Sequence, residues 1–167
     1  ELILFNDTVH KSPKKARPYY NRGVAYGKQG NLPQAISDFT KAIAINPNFA
    51  DAYYNRGVAY GKQSNLPQAI FDYNKAIAIN SNYADAYYNR GNAYGKQSNL
   101  PQALSDYNKA IEINPNYAEA YNNRGLAYYY EKEYDKAWLD VHKAEELGYK
   151  VDSQFLETLK KDSGRGN

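Results

Sequence analysis

The sequence predicts an all-α fold, a solenoid of antiparallel helix pairs with a 34-residue period. The first observation behind it is a recurrence. Residues 50–83 return as residues 84–117 with five differences in 34 positions, at Val58/Asn92, Ile70/Leu104, Phe71/Ser105, Ala78/Glu112 and Ser81/Pro115. Self-similarity at this period marks a supersecondary unit that cannot bury its apolar face alone and stacks on its own copies. The second observation is punctuation. Pro33, Pro67 and Pro101 each follow an Asn-Leu pair and fit only the first turn of a helix, so one helix of each unit begins there. The segments INPN, INSN and INPN end that helix, because the residue before Pro avoids the helical region.

The elements follow in chain order. Phe5, Thr8 and Pro13 stand one period before Phe39, Ala42 and Pro47, so residues 1–15 read as the second helix of a partial preceding repeat with a linker. Full repeats are expected at 16–49, 50–83, 84–117 and 118–150. In 151–161, Val151, Phe155, Leu156 and Leu159 recur at helical spacing, which predicts a helix capping the last repeat's apolar face. Residues 162–167 form a polar tail. No such cap precedes the first unit, so Leu2, Ile3, Leu4 and Phe5 are expected to be partly exposed or covered by a neighbouring molecule, a route to self-association.

Composition excludes several classes of chemistry. The 167 residues carry a net charge of only +3, which singles out no partner, and contain no Cys, which excludes disulfides, thiolate metal sites and cysteine nucleophiles. No apolar run nears the roughly 20 residues that span a bilayer, so direct membrane insertion of this fragment is not expected. His10 and His142 lie far apart with no second ligand at metal spacing, and GKQS lacks the upstream Gly of a phosphate loop. YYYEKEY at 128–134 is flanked by as many acids as bases and is a poor nucleic-acid platform. The reading is therefore of a non-enzyme without metal or cofactor that binds no nucleic acid.

The recurring Tyr53, Gly57, Tyr60, Ala69, Tyr73 and Ala76, with Pro47 or Pro115 in sister units, resemble the tetratricopeptide repeat signature over nearly the whole chain. The resemblance implies a right-handed superhelix whose concave groove is lined by the first helix of each repeat. At about 100° per residue, Tyr53, Gly57 and Tyr60 share the face that packs on the second helix, while Tyr54, Asn55 and Lys62 fall on another. Across repeats this second face carries Tyr20, Asn21, Tyr54, Asn55, Tyr88, Asn89, Asn92, Asn122 and Asn123, edged by Lys28, Lys62 and Lys96. Solvation alone would prefer Glu and Lys, whereas Tyr and Asn supply the flat area and two-way hydrogen bonding that binding surfaces enrich. The Asn ladder also resembles that of O-linked N-acetylglucosamine transferase, which implies an extended peptide held by its backbone.

Arg22, Arg56, Arg90 and Arg124 replace the Leu usual in the family and flank the packed face. Asp38, Asp72, Asp106 and Asp140 recur on the second helix, so four internal pairs are expected, with Leu tolerated at the Arg positions. Asn92 and Asn123 match the Asn sites of family members that grip heat-shock chaperone tails, but Tyr88 replaces the first Lys of that clamp. The segment FNDTVHKSPKKARPYYNRGVAY resembles the junction between a multi-span region and tetratricopeptide units in bacterial membrane proteins, which implies a place beside a membrane. The expected function is a scaffold for an extended peptide or partner protein. Two alternatives stand beside it: a recognition appendage of a larger membrane-bound enzyme, and a self-associating structural array.

Overall fold

The structure, a computed structural model, describes residues 2–165; Glu1, Gly166, Asn167 and the side chains of Leu2, Ile3 and Leu4 lie outside the described residues. The described residues form helices and no strand: α1 (Leu2–Lys11), α2 (Ala16–Lys28), α3 (Leu32–Ile45), α4 (Ala50–Lys62), α5 (Leu66–Ile79), α6 (Ala84–Lys96), α7 (Leu100–Ile113), α8 (Ala118–Tyr130), α9 (Tyr134–Glu146) and α10 (Ser153–Asp162). The first helices of the repeats begin at Ala16, Ala50, Ala84 and Ala118, one period apart. By contact density the chain divides into two compact units, residues 1–86 and 87–167.

In the first unit, α2 packs on α3 and α4 on α5. Ala35 and Phe39 of α3 meet Gly23 and Tyr20 of α2 in reversed order, the signature of an antiparallel pair. Small residues let these backbones close up. A Cβ placed on Gly57 would lie 2.8 Å from the Tyr73 ring and 3.3 Å from the Ala69 carbonyl oxygen, so the helix contact requires glycine there. Ala35, Ala42, Ala52, Ala69 and Ala76 are completely buried. A core cluster of Ala42, Ile43, Phe49 and Ala52 is flanked by Tyr19, Tyr20 and Tyr53 and ties one repeat to the next. Of the N-terminal apolar residues, Phe5 is half-buried and Val9 is buried.

The first helix of a repeat turns into the second through a residue in the left-handed region. Gly30 has φ +75°, and the same register holds Ser64, Ser98 and Lys132 at φ 60°, 58° and 61°. Each closes the first helix before the next begins: the Ser64 amide donates to the Gly61 carbonyl, and the Asn65 amide to that of Tyr60.

In the second unit, α8 packs on α9 and α7 on α8. Beyond α9, Val151 and Leu159 are buried in one cluster with Ala137, Val141 and Ala144, and Phe155 and Leu156 pack against it. The Asp152 carboxylate caps α10 by accepting from the Phe155 amide at 2.9 Å. Tyr129 donates to Asp162 at 2.7 Å, and the Trp138 indole donates to the Ser163 hydroxyl at 3.1 Å. α10 therefore lies over the apolar side of α9.

Candidate functional site

The Tyr, Asn and Lys residues expected to line a groove sit on the first helices, and the packing around them differs between positions. Tyr20 and Tyr54 in the first unit and Tyr88 in the second are half-buried, not free platforms. Each ring stacks at 4.8 Å on the aromatic residue that leads into the next repeat: Tyr20 on Phe49, Tyr54 on Tyr83, Tyr88 on Tyr117. Each also leans on a ring of its own repeat's second helix, Phe39, Tyr73 or Tyr107, at 5.9, 6.1 and 6.1 Å. Burial pushes the phenols of Tyr20, Tyr88, Tyr73 and Tyr107 above their ordinary titration range, so they remain neutral hydrogen-bonding groups. Tyr83 is raised by burial and by Asp51, which accepts its hydroxyl proton at 3.1 Å.

The asparagines are tied to these rings. In the first unit the Asn55 amide nitrogen donates to the Tyr20 hydroxyl at 3.2 Å and to the Asp51 carbonyl at 2.9 Å. In the second, the Asn123 amide nitrogen donates to the Tyr88 hydroxyl at 3.1 Å and to Asn92 Oδ1 at 2.8 Å. Asn92 Oδ1 also accepts from the Tyr107 hydroxyl at 2.8 Å, and Asn123 Oδ1 accepts from Asn122 at 3.0 Å. The Asn92 and Asn123 side chains are thus members of an internal network. Asn55 Oδ1 has no hydrogen-bond partner among the described residues. Asn21 and Asn89 are half-buried, and Lys28, Lys62 and Lys96 are exposed as the last residues of α2, α4 and α6.

Each predicted Arg meets its Asp through two parallel bonds. The distances are 2.6 and 2.8 Å for Arg22–Asp38, 2.8 and 2.8 Å for Arg56–Asp72, 2.8 and 2.6 Å for Arg90–Asp106, and 2.7 and 2.6 Å for Arg124–Asp140. This fork geometry is the strong form of the carboxylate contact. Burial acts to lower the affinity of Arg56, Arg90 and Arg124 for their protons, but the hydrogen bond and charge of the paired Asp outweigh it; each guanidinium is raised further above its already high range. Sequence reasoning missed the third contact. Arg22, Arg56 and Arg124 also donate to Asn6, Thr40 and Asn108, one repeat upstream, at 3.1, 3.0 and 2.6 Å. Those acceptors stand 16 residues before each Arg, a regularity the period could have exposed.

His10 and His142 are exposed, and no group of three or more metal-ligating side chains occurs among the described residues. No helix among them is long and apolar enough to cross a membrane.

With the repeat geometry in place, comparison with known proteins is decisive. Tetratricopeptide repeat models match residues 50–83 and 84–117, 28–64, and 106–138. The chain belongs to the tetratricopeptide repeat family. Tetratricopeptide proteins are generally non-enzymatic scaffolds, and this chain is a protein–protein interaction module. A crystal structure of MamA is similar with a TM-score of 0.83 and 30% identity, over 88% of this chain and 86% of that one. The first tetratricopeptide domain of Spaghetti (RPAP3), bound to the HSP90 peptide SRMEEVD, is similar with a TM-score of 0.67 and 34% identity, over 68% of this chain and 90% of that one. A curated relative, the Hsp70-Hsp90 organizing protein of Triticum aestivum, is 37% identical over 43 residues. That match covers 26% of this chain, which spans 7% of the relative's length.

Proposed function

We propose that the first-helix faces bind an extended peptide segment of a partner protein through its backbone, without catalysis. The observation that carries this reading is the Asn55 side chain. Its nitrogen is held by Tyr20 and the Asp51 carbonyl, which fixes the amide plane and leaves Oδ1 to receive a backbone N–H. A group ordered before binding spends little entropy on contact. The exposed Lys28 and Lys62 at the ends of α2 and α4 favour an acidic segment, in keeping with the acidic HSP90 peptide on the Spaghetti domain. The chaperone-tail clamp itself gains no support from this arrangement, since Tyr88 occupies the first Lys site and the Asn92 oxygen already accepts two internal bonds.

The test is a peptide selected against the chain from a random display library, titrated calorimetrically into the wild type and into Asn21→Ala/Asn55→Ala. Two lost backbone contacts predict binding roughly five- to a hundredfold weaker. Equal affinities would remove the ligand from this face.

A further inference from the structure

The aromatic stack that closes successive junctions fails at the last one. Tyr20–Phe49, Tyr54–Tyr83 and Tyr88–Tyr117 each fill the corner between a first helix and the entry to the following segment, with Phe39, Tyr73 or Tyr107 behind them. One period further on, those three positions hold Asn122, Val141 and Val151. Three rings are replaced by an amide and two small aliphatics. A cleft of about 560 Å³ opens at this corner of the second unit, with Asn122, Leu126, Tyr149, Val151, Asp152 and Phe155 in its walls. That volume lies within the roughly 300–1,000 Å³ of ordinary ligand pockets.

We propose that this cleft takes one aromatic side chain, Tyr or Phe, presented by the partner peptide; the proposal rests on the peptide-binding reading above. The occupant is set by what the sister junctions contain. In each of them a ring from the first helix and a ring from the entry segment pack at a tilt of 33–39° with centroids 4.8 Å apart, so the corner is shaped by the backbone to hold aromatic rings. Leu126, Val151 and Phe155 give the incoming ring apolar contact, and Phe155 is itself held edge-on by Tyr129 at 5.6 Å. Asn122 and Ser153 offer polar partners for a phenol, as Asn55 and Asn123 do for the hydroxyls of Tyr20 and Tyr88. Lys150 and Asp152 at the same wall carry opposite charges, so the cleft selects for the ring and not for the charge beside it. The cleft would read one side chain where the repeated faces hold backbone.

The experiment titrates the isotopically labelled chain with N-acetyl-tyrosinamide, N-acetyl-leucinamide and N-acetyl-alaninamide, following the amide resonances of residues 122, 126 and 149–155. Saturable shifts confined to those residues are expected, with the tyrosine amide about tenfold or more tighter than the alanine amide. Asn122→Tyr/Val151→Tyr restores the missing ring pair and should abolish the shifts; Asn122→Phe, the milder variant, should weaken them if the double variant does not fold. Equal affinities for the three amides, undiminished binding to a folded refilled variant, or no shift at the solubility limit would overturn the proposal. Shifts that depend on protein concentration with no probe present would put a second copy of the chain in the cleft and overturn it as well. These single-residue probes do not need the Asn21 and Asn55 face. A selected peptide that depends on Asn55 but shows no aromatic preference would leave the peptide-binding reading standing and sink this one.

Discussion

Replacing Arg56 by Leu tests the internal pairs most sharply, because the structure reverses what the sequence alone predicts. The family usually carries Leu at this position, and on that resemblance the substitution is expected to be tolerated or even stabilising. Exposure decides otherwise. The Asp72 side chain is 1% exposed and that of Arg56 14%, so the carboxylate is the deeper partner. Both of its short bonds come from Arg56, at 2.8 Å each. Arg56→Leu therefore strands a buried anion, and removing one partner of a buried pair costs about 3–5 kcal/mol. Asp72→Ala is the milder change: the guanidinium keeps its bond to Thr40 at 3.0 Å and its place 5.6 Å from the Tyr53 ring, and can turn to water. Its expected cost is about 1–3 kcal/mol. Arg56→Leu/Asp72→Leu removes both charges and should recover most of the loss, since a well-packed apolar replacement for a buried pair is often neutral or better. The readout is thermal unfolding by circular dichroism, where about 2–4 °C per kcal/mol for a chain of this size predicts a drop of roughly 6–20 °C for Arg56→Leu. An Arg56→Leu melt within 2 °C of wild type, or an Asp72→Ala variant less stable than Arg56→Leu, would refute the asymmetry.

Two further substitutions probe the helix pair and its turn. Gly57→Ala drives a methyl to 2.8 Å from the Tyr73 ring, which is buried and cannot swing aside, so urea denaturation should show a loss of about 1–3 kcal/mol. Ser64→Gly relieves the left-handed backbone at φ 60° and should raise the unfolding free energy measured in urea by about 0.5–1 kcal/mol, the strain relief being partly offset by the greater freedom of glycine in the unfolded chain; an unchanged or lower stability would show that the turn stores no such strain.

The helix pairs were legible because a near-exact repeat averages away local ambiguity: Pro33, Pro67 and Pro101 mark one helix start in register. The Arg–Asp pairs were legible for the same reason, each Arg standing 16 residues before its Asp. A helical wheel, however, describes one helix and not the repeat stacked on it. Asn55 lies off the face that packs within its own repeat and so reads as solvent-facing, yet Tyr20, 35 residues upstream, reaches its amide. Those bonds give the Asn residues a share in the packing between repeats, most at Asn123, whose amide joins Tyr88, Asn92 and Asn122. Depth within a pair was equally hidden, because angle alone does not say that Asp72 lies deeper than Arg56. The cleft left a trace in the sequence, the loss of aromatic residues at 122, 141 and 151, but Ser153 and Phe155 lie beyond the last repeat and only the folded chain brings them to its wall.

The near-identity of the repeats constrains how this chain discriminates between ligands. On the proposed reading, first-helix amides that recur every 34 residues suit what is itself periodic in a ligand, and in an extended peptide that is the backbone. Residues 50–83 and 84–117 differ at five positions, and only Val58/Asn92 lies on a first helix; there the Asn92 oxygen is already committed to Tyr107 and Asn123. Discrimination among side chains then falls to positions where the pattern breaks while the surface stays open. Asn122 and Val151 satisfy both conditions: they depart from the Tyr and aromatic residues of the sister repeats, and they border open volume. Affinity and selectivity are accordingly expected to separate by mutation. Asn55→Ala should weaken peptides of different sequence alike, whereas Asn122→Tyr should reorder them, penalising those with an aromatic residue and sparing the rest. A panel of four display-selected peptides, two with and two without an aromatic residue, titrated against both variants resolves the two effects. Parallel losses across the panel in Asn122→Tyr would place selectivity elsewhere on the chain.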